Sequence, residues 1–241
     1  MDKPKICYVA FLDIMGFANF VKNNTAEHAL KYLSNFTIVN NVFDSLTPNI
    51  SSTVFSDTIA IYTPTLDDLR EDTTRYLSFL RYIGALQYQS VTAPNLYGMP
   101  LRGAITKGEF YSNNKDILFG KAWVEAYYLE KEKAIYPRVI IKKEAHDMNN
   151  FFTSGLNGSP REAPLRLDNG EFHCNYLNSI LDDKGGLPKN FSFILDHKKS
   201  VEQNLIATKD NNDVNEKYKW LKKYHNWFCS GYEDLKEYMI S

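Results

Sequence analysis

Three cysteines are all that the 241 residues contain, and Cys7, Cys174 and Cys229 are scattered, odd in number and without any CxxC spacing. That excludes a disulfide framework and a cysteine-based zinc site, and the expected state is reduced thiols in a cytoplasmic protein. Charge of one sign is equally scarce, with 28 Lys+Arg against 29 Asp+Glu for a net charge of −1. No basic block is present to neutralise nucleic-acid phosphates, and no Lys/Arg cluster borders an apolar stretch, so neither nucleic acid nor a membrane is an expected partner. Long apolar runs are missing too. The first, Ile6 to Leu12, stops at Asp13, far short of the roughly 20 residues a span requires and without a signal peptide's flanks. The histidines at 28, 146, 173, 197 and 225 share no metal-ligand spacing, and there is no internal repeat or low-complexity segment.

What remains is a chain with 44% hydrophobic residues, enough for a sizeable core; its length argues against two full domains. Ile6 to Leu12 (ICYVAFL) reads as a central strand. Thr25 to Phe43 carries Leu30, Leu33, Phe36, Val39 and Val42 at helical spacing, with Thr25 as N-cap and Glu27 in the first turn. Ser52 to Tyr62 reads as a hairpin whose tight turn falls on Ser56-Asp57. Asp67 to Gln87 is a helix with Leu69, Tyr76, Leu77, Leu80 and Ile83 on one face; Leu101 to Phe110 is a strand, Ala122 to Ala134 a helix, and Val139 to Ile141 a further strand. The order β-α-ββ-α-β-α-β predicts an α/β (α+β) fold with a ferredoxin-like core. Beyond about residue 145 the composition shifts to Asn, Gly and Pro, read as loops covering the core. Val214 to Phe228 is a last helix with Tyr218, Leu221, Tyr224, Trp227 and Phe228 along one face and lysines opposite.

Chemistry enters at Asp13, a carboxylate closing an apolar strand. Such a group must be capped, paired or bound to a cation, because burying an ionised carboxylate alone is costly. Asp57 interrupts a second β-rich run, and in a ferredoxin-like sheet the first strand lies beside the following hairpin. Two carboxylates that meet repel each other unless they share a divalent ion, and hard oxygen ligands suit magnesium or manganese. Gly16 and Phe17 would offer backbone N–H groups to phosphate oxygens in the next turn.

These residues resemble a family. FLDIMGF, VFSDTIAIY, LRGAITKGEF and FGKAWVEAYYLE are similar, in order, to the metal-binding strand end, the hairpin, the arginine-glycine strand and the following helix of the class III nucleotidyl cyclases. With the AIYPR that follows, they look most like the pyrimidine cyclases of the bacterial antiphage system Pycsar. The resemblance implies a catalytic core over 1–145 and a C-terminal extension over 146–241 that packs on it and ends in the aromatic helix. It implies Asp13, Ile14 and Asp57 as ligands of two divalent ions, Mn2+ or Mg2+, and Asp13, Asp57 and Arg102 as the catalytic set. Gly16, Phe17, Thr53, Phe55, Ile117 and Lys121 are the expected substrate contacts. The implied enzyme is a homodimer with active sites at its interface. It converts UTP, or less favourably CTP, to the 3′,5′-cyclic monophosphate and pyrophosphate, as a signal read by a separate effector.

In that mechanism the ribose 3′-hydroxyl attacks the α-phosphorus while Arg102 helps to hold the pyrophosphate. The chain departs from the purine cyclases at four places. Thr53 and Ile117 stand where those enzymes read adenine with a lysine and an acidic residue, Asp116 lying one residue away, and Val124 and Tyr128 stand where they carry an Asn and an Arg. Some cation must replace that Arg. Arg102 ranks first, ahead of Lys107, Lys121 and Arg138. The alternative is an inactive cyclase-homology domain that binds a nucleotide or a partner.

Overall fold

The computed structural model describes residues 3–34, 36, 49–92, 99–113, 117–145, 151–154, 159–181, 187 and 191–241. The elements that position the site are β1 (Lys5–Ile14), α1 (Phe17–Asn23), α2 (26–34), β2 (Ser51–Phe55), β3 (Thr58–Pro64), α3 (Leu69–Thr92), β4 (Leu101–Asn113), β5 (Ile117–Phe119), α4 (Lys121–Lys133) and β6 (Val139–Ile141). They are followed by α5 (Phe151–Ser154), β7 (Leu165–Asp168), β8 (Glu171–Cys174), α6 (Ser192–Ala207) and α7 (Asn212–Cys229). The strands form one sheet in the order β2-β3-β1-β4-β6-β8-β7, with β5 paired to β4. Its first four members, all antiparallel, are the expected ferredoxin-like arrangement, and β6 joins β4 in parallel after α4.

β1 is buried on both faces because it lies at the centre, which explains a continuous apolar run rather than an alternation. Tyr8, Leu12 and Ile14 face a core shared with Tyr76, Phe79 and Ile83 of α3, while Cys7 and Val9 face Ala122 of α4. The helix Asp67 to Gln87 is therefore confirmed in its buried face but not at Leu69, which is 67% exposed. Asp68 caps the helix by accepting from the Glu71 N–H, and Leu69 sits in the first turn, turned outward. Of the predicted helix, Thr25 accepts from the His28 N–H as the cap, Phe36 is buried and Leu33 packs against the core, but Leu30 is exposed and Tyr32 is buried in its place; Val39 and Val42 lie outside the described residues.

The segment read as loops contributes structure of its own. β7 and β8 form a hairpin that extends the sheet beyond β6, through the pair Ile140↔His173, and α6 packs against α7 and α3. On α7, Tyr218, Leu221, Tyr224 and Phe228 are buried as the aromatic stripe predicts.

Between α6 and α7 lies a chain of buried polar groups with one self-consistent set of protons. The His225 Nε2–H donates to the Tyr238 carbonyl, leaving His225 Nδ1 to accept from His197 Nδ1–H; His197 Nε2 then accepts from the Tyr176 hydroxyl. Every member is satisfied while both imidazoles are neutral, and a proton added at His225 Nδ1 would set N–H against N–H. Burial accordingly pushes His197 well below the ordinary range and His225 down to about 4. The unfolded chain takes up protons near pH 6.5 and the folded one only near pH 4, so this stabilisation is present above pH 6.5 and lost as pH falls through that window. Urea unfolding should show a loss of roughly 3 kcal/mol from His225 across it. A His225→Gln variant, whose amide can accept and donate at the same two places, should have a distinctly flatter profile.

Candidate active site

Register brings the predicted residues together. Asp13 is paired across β1 with Thr58 on one side and Arg102 on the other, and the Ile14 N–H donates to the Asp57 carbonyl at 2.8 Å. Asp57 follows Ser56, which adopts a left-handed φ of 55°, in the two-residue turn between β2 and β3. That tight turn sets the second aspartate beside the end of β1. Residues directly opposite in antiparallel strands point to the same face. Asp13, Phe11, Thr58, Phe55, Thr53 and Arg102 therefore share the face that α4 covers.

How α4 reaches Arg102 is written in its sequence. Ala122, Ala126 and Glu130 recur every fourth residue and are its buried positions. The two small side chains let the helix lie close on β4, where Gly108 leaves room for Ala122 and the Thr106 hydroxyl donates to the Ala122 carbonyl at 2.7 Å. The third member of the stripe then lands at the site. Arg102 Nε lies 2.9 Å from Asp13 Oδ2, to which it donates, and 2.9 Å from Glu130 Oε1. Glu130 escaped the sequence reading, although a lone acid in a stripe of small residues is a signal for it.

Electrostatics at this cluster favours an added cation. Burial raises the Asp13 carboxyl above the usual carboxylate range; Arg102 opposes the shift, Asp57 adds to it by repulsion, and Lys217 of α7 opposes it weakly. Burial likewise raises Glu130, with Arg102 opposing and Asp13 adding. Lys217 is half-buried rather than fully on the solvated side expected of the α7 lysines. Among the described residues no group of three or more His, Cys, Asp or Glu is arranged to hold a metal. A pair of adjacent carboxylates fits magnesium or manganese nonetheless, because such ions are commonly held by one or two carboxylates, with water and substrate phosphates completing the shell.

The other predicted residues separate into two groups. Gly16, at φ +85°, caps α1 without a side-chain hydrogen bond, and Phe17 is buried against Phe20 and Tyr32, so only their backbone is offered near Asp13. Thr53 keeps a buried hydroxyl without a hydrogen-bond partner, and Phe55 is exposed at the hairpin end, its ring 6.2 Å from Trp123. Ile117 and Lys121 are not brought to the aspartates. Lys121 is ion-paired at 3.2 Å with Glu109, seven residues along β4 from Arg102 and so about 23 Å away, and Ile117 is paired with Asn113, farther still.

Lys107 points to the opposite face, its Nζ 3.4 Å from the Tyr8 hydroxyl, while Arg138 forms an ion pair with Asp168. Val124 and Tyr128 lie on the exposed side of α4, and Asp116 is outside the described residues.

The comparisons agree with this architecture. No family model matches the chain, and no curated protein does. Among solved structures, the monomeric guanylyl cyclase domain of the RhoGC fusion protein from the aquatic fungus Blastocladiella emersonii is similar with a TM-score of 0.50. The two share 12% identity over 71% of this chain and 95% of that one. The adenylyl cyclase CyaB from P. aeruginosa (15% identity, 61% of this chain and 81% of that one, TM-score 0.47) and the guanylate cyclase domain of RhGC from Catenaria anguillulae in complex with GTP (14%, 61% and 84%, 0.47) also match. At such identity the likeness is one of fold: the chain has the class III nucleotidyl cyclase fold. Among the described residues no helix is long and apolar enough to cross a membrane.

Proposed function

We propose that this chain is a cytoplasmic nucleotide cyclase that converts UTP, in preference to CTP, to the 3′,5′-cyclic monophosphate and pyrophosphate, producing an antiphage signal for a separate effector. The observation that carries the reading is the meeting of Asp13 and Asp57 at one end of the sheet, on the same edge as Arg102. Two divalent ions, when bound there, supply acidification of the ribose 3′-hydroxyl and neutralisation of the charge on the departing pyrophosphate. Asp13 and Asp57, with the Ile14 backbone between them, are the residues that hold them. Arg102 engages its carboxylates through Nε, the inner edge of the guanidinium, and its Nη end suits the phosphate oxygens. The Gly16–Phe17 turn offers backbone N–H groups to the same phosphates.

Base selection is read at Thr53. Its unpartnered hydroxyl both donates and accepts, and so serves the 4-carbonyl of uracil or the 4-amine of cytosine, whereas no lysine is available there to read adenine. Incubation with each of ATP, GTP, CTP and UTP plus Mn2+, with products resolved by mass spectrometry, should yield cyclic UMP as the main product. Cyclic AMP or cyclic GMP would overturn the base assignment, and absence of any cyclic product would leave the binding-domain reading.

The site is read as completed by a second copy. α4 covers the site face only in part, leaving Phe55, Val124, Tyr127 and Tyr128 exposed around it, and Ile117 and Lys121 lie too far away to serve the same chain's aspartates. A two-fold partner would cover these aromatics and offer its own copies of those two residues. Tyr128→Glu, which puts a charge at the centre of that apolar surface, should shift the protein from dimer to monomer in light scattering and cut turnover about a hundredfold. An unchanged mass would contradict this assembly.

A further inference from the structure

Arg102 Nε carries a single hydrogen, yet two carboxylate oxygens stand 2.9 Å from it. Only Asp13 Oδ2 accepts that hydrogen; Glu130 Oε1, on a side chain 6% exposed, is buried without a hydrogen-bond partner. A buried carboxylate oxygen without a donor is costly to keep, the more so beside a guanidinium that already serves another acid. The cost is offset once Asp13 turns to a cation, because the Nε–H is then released and Glu130 is already at hydrogen-bonding distance.

We propose that Glu130 is a positioning residue that takes over the Arg102 Nε–H from Asp13 when a divalent cation binds, so that cation binding and the setting of the guanidinium for phosphate are one coupled step. The inference rests on reading Asp13 as a metal ligand. Three features of the structure agree with it. Ala122 and Ala126 hold α4 close on β4, which keeps the Glu130 backbone beside Arg102. Desolvation at both carboxylates disfavours leaving either charge without a partner. Lys131, the other cation that acts on Glu130, has its Nζ over the Tyr127 ring, 5.9 Å from the centroid.

The test is a double-mutant cycle on Mn2+ affinity without nucleotide, read from the electron paramagnetic resonance signal of free Mn2+. In Glu130→Gln the release of Arg102 from Asp13 is no longer rewarded by a charged acceptor, and the Mn2+ dissociation constant should rise about tenfold. In an Arg102→Gln background no hydrogen is left to hand over, and the same Glu130→Gln change should alter affinity by only about twofold. Equal effects in the two backgrounds, or none in either, would overturn the hand-off while leaving the metal site in place. Failure of the wild type to bind Mn2+ in an Asp13-dependent manner would overturn the site assignment itself, and the hand-off with it.

Thermal melts identify a variant that fails to fold. Should Glu130→Gln be one, Arg102→Lys takes its place. An ammonium has three N–H donors and can serve both acids at once, so cation binding gains no new bond and affinity should fall several-fold. An unchanged affinity in that variant would also overturn the proposal.

Discussion

Asp13→Asn should be folded, at least as stable as the wild type at pH 8, and without measurable turnover. The fold disfavours the charged form of Asp13, because burial raises its carboxyl above the ordinary range and Asp57 adds repulsion. A carboxyl shifted upward subtracts stability as pH rises from its unfolded toward its folded value, and the penalty is complete above both. Asn removes the charge while keeping the shape. Arg102 exchanges a charged acceptor for the neutral amide oxygen and retains Glu130 at 2.9 Å, so the guanidinium is not stranded. Turnover depends on that same charge, and losing a ligand that positions catalytic cations should cost about a thousandfold or more. Melting temperature and product formation, measured on one preparation, are expected to move in opposite directions. A variant that unfolds instead would mark Asp13 as a structural anchor for Arg102.

The second large effect concerns the entrance to α4. Gly120 has φ +151°, a region closed to L side chains, and a Cβ there would lie 2.3 Å from the Glu109 carbonyl oxygen and 2.7 Å from Phe110 Cα. Both obstacles are backbone of β4, where Glu109 and Phe110 are paired with Ile6 and Lys5 of β1, and cannot yield cheaply. Strain and overpacking together should cost Gly120→Ala about 4 kcal/mol in urea unfolding. Whatever fold survives would have α4 displaced, moving Glu130 off Arg102, so activity should fall as well. Gly170→Ala is the matched control: φ is +80° but nothing lies within 4 Å of the new Cβ, so only the left-handed conformation is penalised, by about 1 kcal/mol. Equal losses at the two glycines would contradict this account of how α4 is seated.

The first half of the chain was legible because each element carries a local signal that tertiary packing did not override. ICYVAFL could only be a strand buried on both faces, and Ser56-Asp57 could only be a turn between two short β runs. The β7–β8 hairpin carries a local signal as well, since Asn169-Gly170, both with positive φ, is a strong hairpin dipeptide, but it lies in a stretch whose Asn, Gly and Pro content reads as loop.

Within the site, Asp13 and Asp57 stand out in sequence because each interrupts or closes an apolar strand, and Arg102 stands out through the resemblance of LRGAITKGEF to the arginine-glycine strand of the cyclases. Glu130 does not, since acids abound on exposed helix faces; only its place in the Ala122–Ala126 stripe betrays burial. The weak electrostatic influence of Lys217 on Asp13 had no local signal at all, because it depends on where α7 lies relative to the sheet. Likewise Thr53 could be named as a base contact, but its orphan hydroxyl appears only once β2 is set in the sheet.

The central claim is that Asp13 and Asp57 together hold the cations for an intramolecular phosphoryl transfer. It is tested most directly by giving the wild type and Asp57→Ala an equimolar mixture of the four nucleoside triphosphates with Mn2+ and quantifying cyclic nucleotide and pyrophosphate together. The account predicts the two products in equal amounts from the wild type, with cyclic UMP dominant, and neither from Asp57→Ala. Nucleoside diphosphate and phosphate in their place, or equal yields from both proteins, would contradict it.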